Sequence, residues 1–573
     1  MRLFNQIVTL SRSARSRVKR VTPSQKAMAF FILFTSALLA PNLMLATSGR
    51  YAPITMIAGT LLPMGIYLII GAAVRFAGGA ALLLTGLVAL CAFQIVLIHI
   101  FGSATISADM FTNLSTTNGD EAGELLANIS GTVTVVVLVY ASLLVLAWHI
   151  SRRHFRLNLR MRRALSQVGF AMIAISTIIL SLDKLNSTHC ALLRDIFPVN
   201  AIHSLQASLN TRLFLRRYKQ TSSNFRFDAH RSRSSTRREL YIYIIGEASR
   251  SASWEVFGYE RNTTPQLAKR SDITLFKNVL TQSNTTHKSV PLLLSGVSAS
   301  NYKELYARRG ICSLFSEAGF RTCFISNQQR QGAMVDYLAA EADTLIYLEE
   351  GRYDEDLLHT MRSLLENNSS TPLFIVLHCY GSHYNYRERY PAEFTYWQPD
   401  NQKDDKSLRS TITNSYDNSI LYTDHLLSSI ISYVESLNYC ASILYCSDHG
   451  EDLYDDDRCR FLHSSSTLSR FQLQIPAFVW FSKDYLREYS DKAATVKKNC
   501  EHIATSHSMF HTLADIADIR SRHIDQEASF ASRRFNHNQP LYYLDDHNEA
   551  VPFTDKQLGL TIKDITAMGL DIK

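Results

Sequence analysis

Apolar positions are crowded into the first third of the chain, in five long and nearly uncharged stretches at residues 27–46, 54–74, 80–100, 132–148 and 164–182. Roughly 17–25 apolar residues at about 1.5 Å rise each cover a hydrocarbon core of about 30 Å, so every stretch predicts a membrane-spanning helix. None alternates in the amphipathic manner that would bury it in a soluble bundle. The first stretch lies behind 26 residues, too far in for the short leading region of a cleaved signal peptide. From residue 239 the pattern changes. Short apolar, β-rich runs at 241–245, 321–325, 373–378, 441–446 and 477–481 alternate with helical segments at 302–318, 354–366 and 407–437, and a further strand is expected at 274–280. That alternation predicts an α/β domain around a largely parallel sheet. The expected organisation is a multi-domain membrane protein: a five-helix transmembrane domain at 1–182, a bridging linker at 183–238, and an α/β domain at 239–573. The linker reads as helical over 201–214 and then as polar and basic.

Charge adds a direction. Before the first span lie Arg2, Arg12, Arg15, Arg17, Lys19, Arg20 and Lys26, and between the fourth and fifth lie Arg152, Arg153, Arg156, Arg160, Arg162 and Arg163, with no acidic residue in either segment. By the positive-inside rule both segments are cytoplasmic, Arg75 marks a short turn on the same side, and an odd number of spans leaves the α/β domain outside. The loop at 102–130 holds Asp109, Asp120, Glu121 and Glu124 without any Lys or Arg, in keeping with an external position. The linker's cationic run can meet anionic lipid headgroups or simply be solvated. Over the whole chain, 59 Lys+Arg against 51 Asp+Glu leave +8, and 46% of residues are hydrophobic, which excludes a disordered or nucleic-acid-coating polymer. The mean hydropathy of −0.05 averages two regions that face different solvents. Nine scattered cysteines without a C-x-x-C pair give neither a disulfide scaffold nor a zinc finger.

Ligands of open α/β sheets gather beyond the carboxyl ends of the strands, and polar groups follow three candidate strands directly. "YIYIIGEASR" presents Glu247, "ILYCSDHGED" presents Asp448 and His449, and "LFIVLHCYGSH" ends in His378 and His383. Two carboxylates and an imidazole suit zinc, which takes nitrogen and oxygen ligands tetrahedrally and keeps a position open for chemistry. A nucleophile is available in "TQSNTTHKSVPLLLSG", where a hydroxyl at a helix N-terminus can attack and nearby backbone N–H groups can hold a phosphoryl oxygen. Ser289-Val290-Pro291 invites comparison with the [C/S]-x-P-x-R signature of sulfatases, but Leu293 takes the place of the arginine, so a formylglycine nucleophile is not expected.

Five spans followed by "GEASRSASWEVFGYERNTTPQL", "NTTHKSVPLLLSG", "HCYGSHYNYRERYP", "YDNSILYTD" and "SDHGE", in that order, resemble the phosphoethanolamine transferases that modify lipopolysaccharide, including the lipid A enzymes of polymyxin resistance. The resemblance implies a multi-pass protein of the bacterial inner membrane with a periplasmic domain like alkaline phosphatase and the sulfatases. It implies transfer of phosphoethanolamine from phosphatidylethanolamine, by way of a threonine, to a lipid A or core-sugar acceptor, by a monomer. The family's Zn2+ ligands fall on Glu247, Thr286, Asp448 and His449. By the same resemblance Thr286 is the nucleophile, with Thr285 the competing choice. His383 and His463 match two histidines near the headgroup or a second zinc. Asn113, Thr117 and Glu121, at intervals of four on one expected helix face, resemble the lipid-headgroup residues.

Three departures bear on the acceptor and on the cysteines. No cysteine lies between Cys190 and Cys312, so the family's disulfides do not transfer, although Cys312 and Cys323 could pair; "GSHYNYRERYP" lacks the G-P-A that follows the histidine in many lipid A enzymes; and Gln331 replaces a family lysine. Two rival readings share the zinc-threonine chemistry: a phosphoglycerol transferase of the lipoteichoic-acid type, and a membrane-bound phosphatase or sulfatase.

Overall fold

The computed structural model describes residues 22–47, 53–101, 105–116, 119–184, 191–348, 353–366, 372–400, 409–554 and 558–570. The chain forms two compact units, one of residues 1–99 with 131–201 and one of residues 100–130 with 202–573.

Among the described residues of the first unit, three helices are long and apolar enough to cross a membrane: Pro53–Ala73, Ser130–Arg152 and Leu159–Asp183. Two of the expected spans are bent pairs. Pro23–Leu38 and Ala40–Ala46 meet at 45°, and Ala77–Leu83 and Thr85–Phe101 meet at 59°, so the spans number five if each pair counts as one. Pro41 opens the second helix of the first pair, where its missing N–H ends the preceding hydrogen-bond ladder at no further loss. Pro53–Ala73 and Leu159–Asp183 pack through glycine. A Cβ on Gly65 would lie 2.7 Å from the Gly169 carbonyl, and one on Gly169 equally close to that of Gly65, which is the close approach that small residues permit in apolar helices. Of the cationic segments, Arg2 to Arg20 lie outside the described residues.

The second unit is built on a seven-stranded sheet in the spatial order Ile273–Leu275, Ala477–Phe481, Cys440–Ser447, Glu239–Gly246, Leu373–His378, Arg321–Ser326 and Thr344–Tyr347. The strand Ala477–Phe481 runs against its neighbours, and the remaining contacts of the central strands are parallel. Glu239–Gly246 is buried at every position, which is why it reads as a continuous apolar run. Its Tyr241, Tyr243 and Ile245 enter one core and Leu240, Ile242 and Ile244 the other.

Two expectations change in detail. The single strand at 274–280 is two strands, Ile273–Leu275 in the main sheet and Asn278–Leu280 in a separate three-stranded sheet. The helix at 302–318 is a 3-10 segment, Ala299–Tyr306, and a short α-helix, Ile311–Glu317, whose N-cap is Gly310. A Cβ there would press on the Leu294 carbonyl at 3.1 Å, so the chain turns where only glycine fits easily. The edge strand Thr344–Tyr347 is too short and half-buried to stand out in the sequence. Cys312 and Cys323 are both buried and both free, so the pairing allowed above does not form.

Candidate active site

Register brings the acidic groups together. Gly246 pairs with Ser447 at the carboxyl ends of two parallel strands, so the next residues, Glu247 and Asp448, emerge side by side. His449 follows directly. Facing them is Thr286, the first residue of the helix Thr286–Leu294, with Thr285 as its N-cap. Thr286 Oγ1 lies 3.1 Å from Glu247 Oε1 and 3.2 Å from His449 Nε2. His449 Nε2 is 3.3 Å from both Glu247 Oε1 and Asp448 Oδ2. Glu247, Asp448 and His449 are completely buried.

These separations test whether the donors suit a metal. Ligands bound tetrahedrally at about 2.0–2.1 Å stand about 3.3 Å apart, close to the separations of Thr286 from Glu247 and His449 and of His449 from both carboxylates. Two buried carboxylates and a buried imidazole, with the half-buried Thr286 hydroxyl beside them, are a donor set for a divalent cation, and Glu247, Asp448 and His449 can hold one ion among them.

Each ligand is fixed from behind. The Nδ1–H of His449 donates to the Gly450 carbonyl at 2.9 Å, leaving the Nε2 lone pair on the centre. Gln328 Nε2 donates to Glu247 Oε2 at 2.9 Å and to the Cys379 carbonyl, which turns Oε1 inward. Asp448 Oδ1 accepts the backbone N–H groups of Ala248 and His449, and its Oδ2 accepts the Ser289 hydroxyl at 2.9 Å. Gly381, at φ +53°, lies against the Glu247 backbone so tightly that a Cβ would meet its carbonyl at 2.7 Å. A Cβ on Gly450 would meet the Phe471 carbonyl at 2.0 Å, so the two strand-end loops close only with glycine.

The metal-free charges follow from this crowding. Burial works against the His449 imidazolium, but Asp448 and Glu247 outweigh it and raise the group to about 10. Burial pushes the Glu247 carboxyl up, yet the hydrogen bond and charge of His449 hold it down at about 2. Asp448 takes the residual strain: burial, then the charge of Glu247, raise it to about 7.

A second group adjoins the first. Glu451 is fully buried, accepts the Tyr386 hydroxyl at 2.8 Å and pairs with His463 Nδ1 at 2.8 Å; with His449 the two form another set able to hold a cation. The His463 ring stands 4.1 Å from that of His449 and 6.4 Å from that of His383. Burial lowers His463 below the ordinary imidazole range.

The structure therefore brings Glu247, Thr286, Asp448, His449 and His463 to one place, with His383 on its margin. Thr285 turns elsewhere, its hydroxyl 3.3 Å from that of Ser283. His378 is buried beneath the site with its Nδ1 against the Ser326 hydroxyl, and it is not among the grouped ligands. Asn113 sits on the helix Ala108–Thr116 and Glu121 on the helix Gly119–Arg152, while Thr117 lies outside the described residues. Sequence reasoning gave no role to Gln328 or Glu451 and read Ser289 only as part of the sulfatase-like S-V-P motif, not as a partner of Asp448. Glu451 had a signal, since it stands three residues past Asp448 in "SDHGE", whereas Gln328 lies on a distant loop with nothing in its spacing to mark it.

A family model described as Sulfatase matches residues 239–519, and one described as Phosphoethanolamine transferase EptA/EptB matches residues 65–213. The chain is 29% identical over 319 residues to phosphoethanolamine transferase EptA of Escherichia coli O157:H7, covering 52% of this chain and 57% of that protein. It is 30% identical over 267 residues to Kdo(2)-lipid A phosphoethanolamine 7''-transferase of Escherichia coli (strain K12), covering 44% and 46%. The chain thus spans about half the length of the curated relatives it matches. Among solved structures, the integral membrane protein lipooligosaccharide phosphoethanolamine transferase A of Neisseria meningitidis superposes with a TM-score of 0.70 over 87% of this chain and 97% of its own, at 21% identity. The C-terminal periplasmic domain of Escherichia coli EptC, in complex with Zn, gives 0.52 over 58% and 98%, at 22% identity. At such identities the two likenesses establish the fold, apolar helices followed by a sulfatase-like α/β domain.

Proposed function

We propose, from the premise that the chain belongs to the phosphoethanolamine transferase family, that it moves phosphoethanolamine from phosphatidylethanolamine to a lipopolysaccharide acceptor, lipid A or core sugar, through an ester on Thr286. The observation that carries this reading is the Thr286 hydroxyl at 3.1 Å from Glu247 and 3.2 Å from His449, at the start of a helix. Only an oxygen so placed can be both ligand and nucleophile. A zinc ion held by Glu247, Asp448, His449 and Thr286 would lower the pKa of that hydroxyl and polarise the phosphoryl oxygen.

The remaining work falls to the chain. Thr286 Oγ1 attacks the donor's phosphorus, the bond to diacylglycerol breaks, and the departing oxygen takes a proton. In the second step an acceptor oxygen attacks the same phosphorus and Thr286 leaves with the electron pair of its ester bond. In this reading His463, paired with Glu451, and His383, whose ring is 6.4 Å from that of His463, exchange the protons of the departing and entering oxygens. The first turn of the helix Thr286–Leu294 favours the negative phosphoryl oxygens. Asn113, Thr117 and Glu121 are assigned to the lipid headgroup. In this reading each bent helix pair crosses the membrane once, the protein is a monomer with five spans in the inner membrane, and the α/β unit works in the periplasm.

The test uses the full-length protein in vesicles with fluorescent phosphatidylethanolamine and a purified lipopolysaccharide acceptor. Labelled diacylglycerol and an acceptor heavier by one phosphoethanolamine are expected. Turnover of phosphatidylglycerol instead would make the protein a phosphoglycerol transferase. Free phosphoethanolamine in place of a modified acceptor would make it a hydrolase.

A further inference from the structure

The helix Val199–Thr221 buries one face and leaves the other apolar. Ser204, Ser208, Leu215 and Tyr218 face inward, and the Tyr218 hydroxyl is hydrogen-bonded to Glu341 of the α/β unit. On the opposite face Ile202, Leu205, Leu209 and Leu213 recur every three or four residues with exposures of 60%, 41%, 51% and 50%, and Phe214 adds 52% beside them. The helix Ala108–Thr116 runs alongside, held by the Thr112 and Ser208 hydroxyls at 3.1 Å, and contributes Leu114, 67% exposed.

No other such patch occurs among the described residues of this unit, where the exposed large apolar side chains Tyr396, Leu486 and Ile562 stand singly. A contiguous apolar strip on an otherwise polar unit marks a surface that something covers. Charge indicates what. Arg212, Arg216, Arg217 and Lys219 accompany the strip, and residues 196–227 contain no Asp or Glu. An apolar stripe flanked by long cationic side chains is the composition of a helix lying in a lipid interface, with its leucines among the upper acyl chains and its arginines at phosphate level.

We propose that this face of the helix Val199–Thr221, with Leu114, is an interfacial anchor that rests in the surface of an anionic phospholipid bilayer. The assignment does not depend on the reaction catalysed. It has a consequence for lipid access. Arg212 and Arg216 line a cavity of about 250 Å³ together with His287, the neighbour of Thr286, and Tyr302 and Tyr306. A headgroup held by these arginines would lie against that cavity's lining.

The test places a photoreactive benzoylphenylalanine at Leu209 or, in a second variant, at Leu213 of the full chain, reconstituted in vesicles of phosphatidylethanolamine and phosphatidylglycerol. Exposed Arg533 serves as control position. On irradiation both variants are expected to give phospholipid adducts severalfold above the control, with phosphatidylglycerol over-represented relative to its share of the bilayer. Replacing Arg212, Arg216 and Arg217 by Gln should remove that over-representation. Adducts to the chain's own residues 22–184, or lipid adducts no more frequent than at Arg533, would overturn the anchor. Adducts that merely mirror the lipid composition would overturn its preference for anionic headgroups.

Discussion

Lys288 donates to the carboxylate of Asp109 at 2.7 Å although the two stand 179 residues apart, and both side chains are almost wholly buried. The same ammonium reaches the Asp545 carbonyl at 2.8 Å, and His287 lies 3.2 Å from the Asp109 carboxylate. Asp109 thus ties the helix Ala108–Thr116 to the helix Thr286–Leu294. Removing one partner of a buried pair strands the other's charge, at a cost of about 3–5 kcal/mol. Asp109→Ala should therefore lower the thermal unfolding temperature of the α/β unit distinctly, and Asp109→Asn, which keeps an acceptor, should lower it less. Equal, negligible shifts in the two variants would show that Lys288 finds water instead.

Ser289 and Gln328 hold the outer sides of Asp448 and Glu247 and touch no substrate in the proposed reaction. Groups that orient metal ligands in this way typically contribute about 10–100-fold to metal affinity. Ser289→Ala and Gln328→Leu should each weaken zinc binding within that range, measured by competition with a chelator, and supplying excess zinc should restore much of the activity. Activity lost at saturating zinc would instead assign these residues a part in the chemistry.

Metal loading should be linked to protons. In the free site His449 is held protonated until about pH 10 and Asp448 until about pH 7. Both must be deprotonated to bind zinc, so each ion displaces at least one proton and affinity falls as pH falls. The decline should be about tenfold per unit where one proton is released, and steeper below pH 7, where Asp448 is also protonated. Calorimetry in buffers of different ionisation enthalpy counts the protons. An affinity that does not change between pH 6 and 8 would contradict the charge assignment.

Much of this was readable in the sequence because buried parallel strands announce themselves. The run ending at Gly246 and the run ending at Ser447 are apolar throughout, and the polar residues directly after them are the ones the register sets side by side. Thr285 stayed a competitor to Thr286, which the family resemblance favoured by its distance from the S-V-P motif, because one residue of helix phase decides which hydroxyl faces Glu247. Gln328 was illegible because its role arises from a loop folding back across two strand ends. The bends at Leu39 and Leu84 were hidden too: hydropathy registers that a stretch is apolar, and is blind to a helix changing direction within it.

The proposed reaction requires Thr286 to carry the transferred group. The most direct measurement is peptide mass mapping of the full-length, zinc-loaded protein after incubation with phosphatidylethanolamine and no acceptor. One phosphoethanolamine on the peptide containing Thr286, located at that residue by fragmentation and absent from Thr286→Ala, is the predicted result. Diacylglycerol released while Thr286 stays unmodified, or a modification found on Thr285, would contradict it.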